Sequence, residues 1–314
     1  MEKILTISIA AYNVENYIKK TLDSLIIEEI LPKLEIFVID DGGTDGTADI
    51  VEKYANKYPA SISLIHKDNG GYGSTVNWSI EHATGKYFKL LDGDDWFESR
   101  NLTDYISRLE KSTADAVISN TYEVRDGKKI EKYPFCKMYD GVCLNISEVK
   151  PYPVVAMWGY TFKTKVLREA NISLPLHMLY TDQIYVIKAL GKVKSVEYYG
   201  KVVYNWRIGR KDQSNSINSI RRHYKDLIES ANIINNYIKE NNLSGNYIRA
   251  RAAAYYSNTI ITLCKLKKTR ENYEIIKDIE RNTEAEYPEL YLLANNAQKL
   301  RLFRKLGYIG FLIL

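Results

Sequence analysis

Cysteine is scarce in this chain of 314 residues: Cys136, Cys143 and Cys264 form no CxxC pair and no zinc-ligand spacing. An odd, scattered set excludes a disulfide scaffold and fits a reducing compartment. Long apolar runs are missing too. The longest late one, Leu306 to Leu314, is about half of the ~20 residues that span a bilayer. The opening MEKILTISIAAYNVE has one lysine before a short apolar run and no small-residue cleavage site. It reads as a first strand, not a signal peptide. No zinc-finger, RNP-like or helix-turn-helix pattern occurs, so nucleic acid is not an expected partner. ISIAAYN contains no glycine and GxxxxGK[ST] occurs nowhere, which excludes a dinucleotide fingerprint and a P-loop.

What the chain does have is an uneven charge. The net +5 divides into 24 Lys+Arg against 28 Asp+Glu over residues 1–200, and 20 against 11 over residues 201–314. A basic last third suits an anionic membrane surface or a phosphorylated substrate.

The first 120 residues alternate strand and helix. ILTISIAAY, LEIFVIDD, SISLIH and YFKLL read as strands, with helices over Val14 to Glu28, Ala48 to Tyr58, Thr75 to His82 and Leu102 to Leu109. ADAVISNTY is a fifth strand. That order implies an α/β fold, Rossmann-like, with a mostly parallel sheet flanked by helices. Arg125 to Lys128 reads as a hairpin turn, Trp158 to Lys163 as a strand, and Gln183 to Leu190 as a helix capped by Thr181 or Asp182. Two short strands follow, around Val193 to Tyr199 and Val202 to Trp206. Beyond Ser219 the pattern is helical, with a last helix from Ala297.

In such sheets ligands bind at the carboxyl ends of the strands. Those ends carry Ala10 to Asn13, Asp40-Asp41, Lys67 to Gly73, and Asp92 to Asp95. Three acids packed after the apolar run Phe88 to Leu91 repel one another and call for a positive partner. The plain alternative is a polar turn. Hard oxygen donors such as Asp92 and Asp94 suit Mg²⁺ or Mn²⁺, with further ligands taken from phosphates and water. Asp41 can accept from the imide N–H of a uracil base, or Asp40-Asp41 can be only a capping pair.

Four motifs, ISIAAYNVENYIKKTLDSL, IFVIDDGGTDGT, KDNGGYGS and ATGKYFKLLDGDDWF, follow one another in an order and spacing that resemble the nucleotide-diphospho-sugar glycosyltransferases of family 2, with the GT-A fold. The resemblance covers residues 3 to 100, more loosely to about 210. It implies that Ala10 and Tyr12 line the nucleoside and Asp41 meets the base. Lys67, Asn69, Gly71 and Asn77 complete the donor site. Asp92 and Asp94 match the DxD pair, Asp94 as the direct metal ligand and Asp92 nearer the ribose. Asp182, in LYTDQIY, matches the catalytic base. Arg207 and Arg210, beside QSNSI, match the basic loop over the diphosphate. Trp158 and Asp95 are assigned to the acceptor side, though Trp158 and Trp206 also suit plain packing. The chain departs from the family pattern with Ala10 for proline, Gly43 and Gly93 for serine, Thr181 for Glu, and Val76 where an arginine is usual; Lys67 is the substitute for that arginine.

The resulting expectation is an inverting, metal-dependent glycosyltransferase using Mn²⁺ or Mg²⁺. It would move a sugar from a nucleotide-sugar donor, a UDP-sugar, to a saccharide or lipid-linked acceptor. Residues 1–215 would form the catalytic domain (donor half 1–120, acceptor half 121–215) and residues 216–314 a helical region. The location would be cytoplasmic, peripheral at the inner membrane face through the basic, apolar tail, with the oligomeric state open. The alternative is a non-catalytic sugar- or nucleotide-binding protein on the same fold.

Overall fold

The computed structural model describes residues 2–132, 138–149, 155–209, 213–214, 216–243 and 245–314. These fall into two compact units. One comprises Met1–Thr181 and Lys192–Arg210, the other Asp182–Gly191 and Lys211–Leu314.

The first unit is built on one sheet. Its strands are β1 (Leu5–Ala11), β2 (Leu34–Asp41), β3 (Ile62–Lys67), β4 (Tyr87–Asp92), β5 (Trp96–Phe97), β6 (Ala116–Arg125), β7 (Lys128–Lys132), β8 (Cys143–Asn145), β9 (Tyr160–Lys163) and β10 (Ser195–Arg207). Across the sheet the order is β3-β2-β1-β4-β9-β6-β10-β5, with β7 on β6 and β8 on β10. The strands β3, β2, β1 and β4 run parallel. Between β4 and β6 the short β9 is inserted antiparallel to both, and β10 returns parallel to β6. The helices of this unit are α1 (Glu15–Asp23), α2 (Thr47–Lys57), α3 (Tyr72–His82), α4 (Ser99–Lys111) and α5 (Thr164–Glu169).

Alternation along β1 decides its two faces. Leu5, Ile7 and Ile9 point into a core with Ile18 and Leu22 of α1, Val51 of α2 and Leu102, Tyr105 and Ile106 of α4. On the other face Ser8 Oγ donates to Ser79 Oγ of α3 at 2.8 Å. Both faces are covered, so the strands read as nearly unbroken apolar runs.

Several elements differ from the sequence reading. The two strands expected after Val193 are one, β10, which bends through register shifts between Tyr199 and Tyr204. Trp158 lies in a 3₁₀ turn, Met157–Gly159, ahead of β9. The hairpin at 125–128 is present, with Asp126 and Gly127 both at positive φ, as a type I′ turn needs.

The second unit is helical: α6 (Asp182–Leu190), α7 (Ile217–Glu240), α8 (Asn246–Leu263), α9 (Arg270–Glu286), α10 (Pro288–Ala294), α11 (Gln298–Leu306) and α12 (Tyr308–Ile313). Ser216 and Thr269 cap α7 and α9 by accepting from Ser219 N and Asn272 N, as N-cap residues do. Pro288 opens α10, where a missing N–H costs nothing. The single last helix expected from Ala297 is two, because Gly307 sits at φ +56° and breaks it. No helix among the described residues is long and apolar enough to cross a membrane.

Candidate active site

The register of the parallel strands brings the rim residues side by side. Ala10 pairs across from Asp92, Ala11 from Asp40, and Asp41 from Lys67. Residues up to 82 apart in sequence therefore end on one edge of one unit, which is where an open α/β sheet offers a site. Tyr12 extends from that edge into solvent, 54% exposed.

Asp41 is buried, and its carboxylate organises the glycine-rich loop. Oδ1 accepts from Lys67 Nζ at 2.6 Å, from Gly70 N at 3.0 Å and from Ser74 Oγ at 3.2 Å. Oδ2 accepts from Gly71 N at 2.8 Å. Asn69 closes the ring by donating its Nδ2 to the Asp41 carbonyl at 2.8 Å. Gly71 is at φ +78°, and a Cβ there would also stand 3.1 Å from His177 N, so a side chain is unfavourable on both counts. Asn77, expected at the donor, instead clasps a backbone: it donates to the Leu174 carbonyl at 2.9 Å and accepts from Leu174 N at 2.8 Å. Both ends of its amide are engaged by that residue.

The acidic loop after β4 is held from two sides. Thr21 of α1 donates to the carbonyls of Gly93 (3.0 Å) and Asp95 (2.6 Å). Tyr204 accepts from Asp92 N at 3.1 Å and donates to Asp95 Oδ2 at 2.7 Å. Arg207 donates its backbone N–H to Asp95 Oδ1 at 2.6 Å and its Nε to the Asp94 carbonyl at 2.9 Å. Asp95 is thus buried with both oxygens engaged, supporting the loop from beneath. Burial, and then the charges of Asp92 and Asp94, push its pKa well above the usual carboxylate range. A Cβ at Gly93 would meet the Ala10 carbonyl at 2.8 Å, so the serine usual in the resembling family has no room on this backbone.

Aromatic rings frame the acids. Arg207 lies 4.9 Å over Tyr17 and 5.0 Å over Trp96, and Lys20 lies 3.2 Å over Trp96. Such stacking holds a guanidinium in a fixed plane. Trp158 is half-buried, packed at 4.5 Å from Trp206 and 6.1 Å from Tyr204. Its carbonyl accepts from Lys89 Nζ at 2.6 Å, and Tyr160 O accepts from the same ammonium at 3.0 Å. Lys89 is wholly buried, and that burial alone pulls its pKa down to about 7.

Among the described residues no cluster of three or more carboxylates, imidazoles or thiolates could cage a metal. The donor set still fits a cation that draws most ligands from phosphate and water. Asp92 and Asp94 are partly exposed at the rim, and their charge is felt by Asp95 below.

Asp182 belongs to the second compact unit, where it opens α6. Gln183 Nε2 donates to its Oδ2 at 2.8 Å, and Arg251 Nη2 donates to Gln183 Oε1 at 2.9 Å. Burial raises the Asp182 pKa; the hydrogen bond from Gln183 opposes that shift. Arg210 lies outside the described residues. Tyr204 and Lys89 were missed by sequence reasoning: each looks like a core position, Lys89 inside an apolar run and Tyr204 inside VVYNW.

Four parallel strands with a polar carboxyl rim, extended by an inserted antiparallel strand, define an α/β fold of the GT-A class. Residues 6–158 match the family model for glycosyl transferase family 2, and the chain belongs to that family. It is 28% identical over 241 residues to the putative glycosyltransferase EpsH of Bacillus subtilis, covering 72% of this chain and 65% of that protein. To the poly(ribitol-phosphate) β-N-acetylglucosaminyltransferase TarS of Staphylococcus aureus it is 25% identical over 215 residues, 66% of this chain and 36% of TarS. The crystal structure of TarS residues 1–349 with UDP-GlcNAc has the same fold, with TM-score 0.71 at 20% identity over 98% of this chain and 89% of that one. A mannosyltransferase from Pyrobaculum calidifontis, in complex with GDP-Man and Mn²⁺, has TM-score 0.54 at 16% identity over 100% of this chain and 87% of that one. The chain spans 30–65% of the length of the first curated relatives it matches.

Proposed function

We propose that this chain transfers a sugar from a UDP-sugar to a hydroxyl of a saccharide, polyol-phosphate or lipid-linked acceptor, with inversion at the anomeric carbon. The observation that carries the proposal is the alignment of Ala10, Asp41 and Asp92 on one strand-end rim, in a fold shared with a protein crystallised with UDP-GlcNAc. On this reading Tyr12 covers the nucleoside. Asp41 Oδ2, which carries the Gly71 N–H bond, has a second lone pair for the imide N–H of uracil. Lys67 and Asn69 keep that loop in place, Asn77 positions it through Leu174, and Arg207 faces the diphosphate.

Asp92 and Asp94 are the residues that would hold a divalent cation, Mn²⁺ or Mg²⁺, whose Lewis acidity offsets charge on the departing diphosphate. Asp182 acts as general base, removing the proton of the acceptor hydroxyl as its oxygen attacks the anomeric carbon. A carboxylate with a raised pKa is a stronger base than a solvated one, which suits that task. One in-line displacement inverts the centre and needs no covalent intermediate. TarS is named for a β-linked product; from an α-linked UDP-sugar that is inversion, which supports this part. Trp158 and Trp206 would stack on the acceptor, while Asp95 supports the metal-side loop from below.

The test is a panel of nucleotide-sugars scored by released nucleoside diphosphate in the presence of Mn²⁺. Turnover with a UDP-sugar that falls by roughly 10²–10⁴ in Asp182→Asn supports the proposal. Binding of donor with no turnover in the presence of any saccharide or polyol-phosphate acceptor would instead favour a binding protein.

A further inference from the structure

The second unit ends in a face where aliphatic and basic side chains look outward together. α11 and α12 are seated by Leu300, Phe303 and Phe311, all buried. Arg304 turns inward as well: its Nε donates to buried Glu280 Oε2 at 2.5 Å and its guanidinium lies 3.5 Å over Tyr291. Lys268 Nζ donates to the Phe311 carbonyl at 2.6 Å. These contacts fix which side of each helix faces solvent. On that side Leu302 is 39% exposed, Ile309 62%, Leu312 44% and Ile313 62%. Ile309, Leu312 and Ile313 stand at i, i+3 and i+4, which is one helical stripe. The inward packing is complete without them.

Charge marks what covers this stripe. Arg301 and Lys305 are exposed beside it, and residues 298–314 contain four basic and no acidic residues. A groove of about 650 Å³ between α8 and the α10–α11 turn adds Lys265, Lys299 and the exposed Leu293. We propose that this face docks on an anionic bilayer surface, with Ile309, Leu312 and Ile313 at the acyl boundary and Arg301, Lys305 and Lys299 against headgroup phosphates. Short apolar stripes flanked by Lys and Arg bind membranes in this way. A second copy fits poorly, since a two-fold contact would set basic residues against basic residues. A protein partner fits poorly because the displayed anchors are Leu and Ile, whereas binding hot spots favour Trp, Tyr and Arg.

The experiment is co-sedimentation of the full chain with phosphatidylcholine vesicles containing about one-quarter phosphatidylglycerol, at low and high salt. Binding should be strong at low salt, weaken at high salt and be much weaker on pure phosphatidylcholine. Arg301→Ala/Lys305→Ala should weaken partitioning about twenty-five-fold, at roughly fivefold per charge. Ile309→Ser/Ile313→Ser should abolish it, with circular dichroism confirming that both variants are folded. The proposal is overturned by no binding to anionic vesicles, or by binding that both double variants retain. A dimer in solution that Ile309→Ser/Ile313→Ser dissociates would also overturn it and assign the face to a second copy.

Discussion

Replacing Asp41 by Asn tests whether one carboxylate organises the glycine-rich loop. The change keeps shape and leaves one acceptor oxygen for four donors. With that oxygen toward Lys67, Gly70 and Ser74, the new NH₂ faces Gly71 N–H, now 2.8 Å from Oδ2. Flipping the amide loses three contacts in place of one, so the first placement wins. One charge-assisted bond, worth about 1.5–3 kcal/mol, is then lost, and the contact from Lys67 is weakened. We expect about 2–4 kcal/mol of destabilisation, a fall in melting temperature of roughly 5–15 °C for a unit of this size. Asp40→Asn is the comparator. Its Oδ1 keeps the bond from Gly43 N at 3.0 Å, and its other contact is to His66, whose side chain is 65% exposed. Such a pair is worth about 0–1 kcal/mol. The assay is urea denaturation of both variants together with hydrogen exchange at Gly70 and Gly71. Asp41→Asn within ~0.5 kcal/mol of the unmodified chain, or no worse than Asp40→Asn, would refute the reasoning.

Other outcomes follow from the same geometry. Asp95→Asn can accept from Arg207 N and donate to Tyr204, so it should change stability at neutral pH by less than about 1 kcal/mol. The sign of its pH effect is fixed. Because the folded Asp95 binds its proton more tightly than the unfolded one, its contribution is present below the ordinary Asp pKa and is lost as pH rises through the folded value. The variant should therefore lose that fall in denaturation free energy between acid and neutral pH. Gly93→Ala should cost about 1–3 kcal/mol by thermal melting, since its Cβ meets a backbone carbonyl that cannot yield. For Asp182, kcat/KM should rise with pH through a pKa above the ordinary carboxylate value, because burial raises it and the base must be ionised. A flat profile across the acid range would remove Asp182 from that role.

The first four strands of the fold were legible because their signals are local. Apolar runs, turn glycines and helical spacing place β1 to β4, and the end of each strand follows from the residue at which the run stops. The insertion of β9 between β4 and β6 was not legible. It pairs Tyr87 with Lys163 and Ile118 with Tyr160, and no short-range pattern encodes such distant partners. The same limit hid the support under the acids. Tyr204 and Asp95 are 109 residues apart in sequence, and a tyrosine in a strand otherwise reads as packing. Asn77 and Asp95 were read as ligand contacts from their motif neighbours; in the structure their polar atoms are taken up by backbone and by Tyr204. In the tail, periodicity continues through Gly307 and conceals the break that its positive φ imposes.

Calorimetric titration of the full chain with UDP, with and without Mn²⁺, and of Asp94→Ala alongside it, tests the central claim most directly. The account predicts binding that Mn²⁺ strengthens in the unmodified chain, and binding that no longer responds to Mn²⁺ in Asp94→Ala. UDP that fails to bind, or Mn²⁺ strengthening that Asp94→Ala keeps in full, would contradict it.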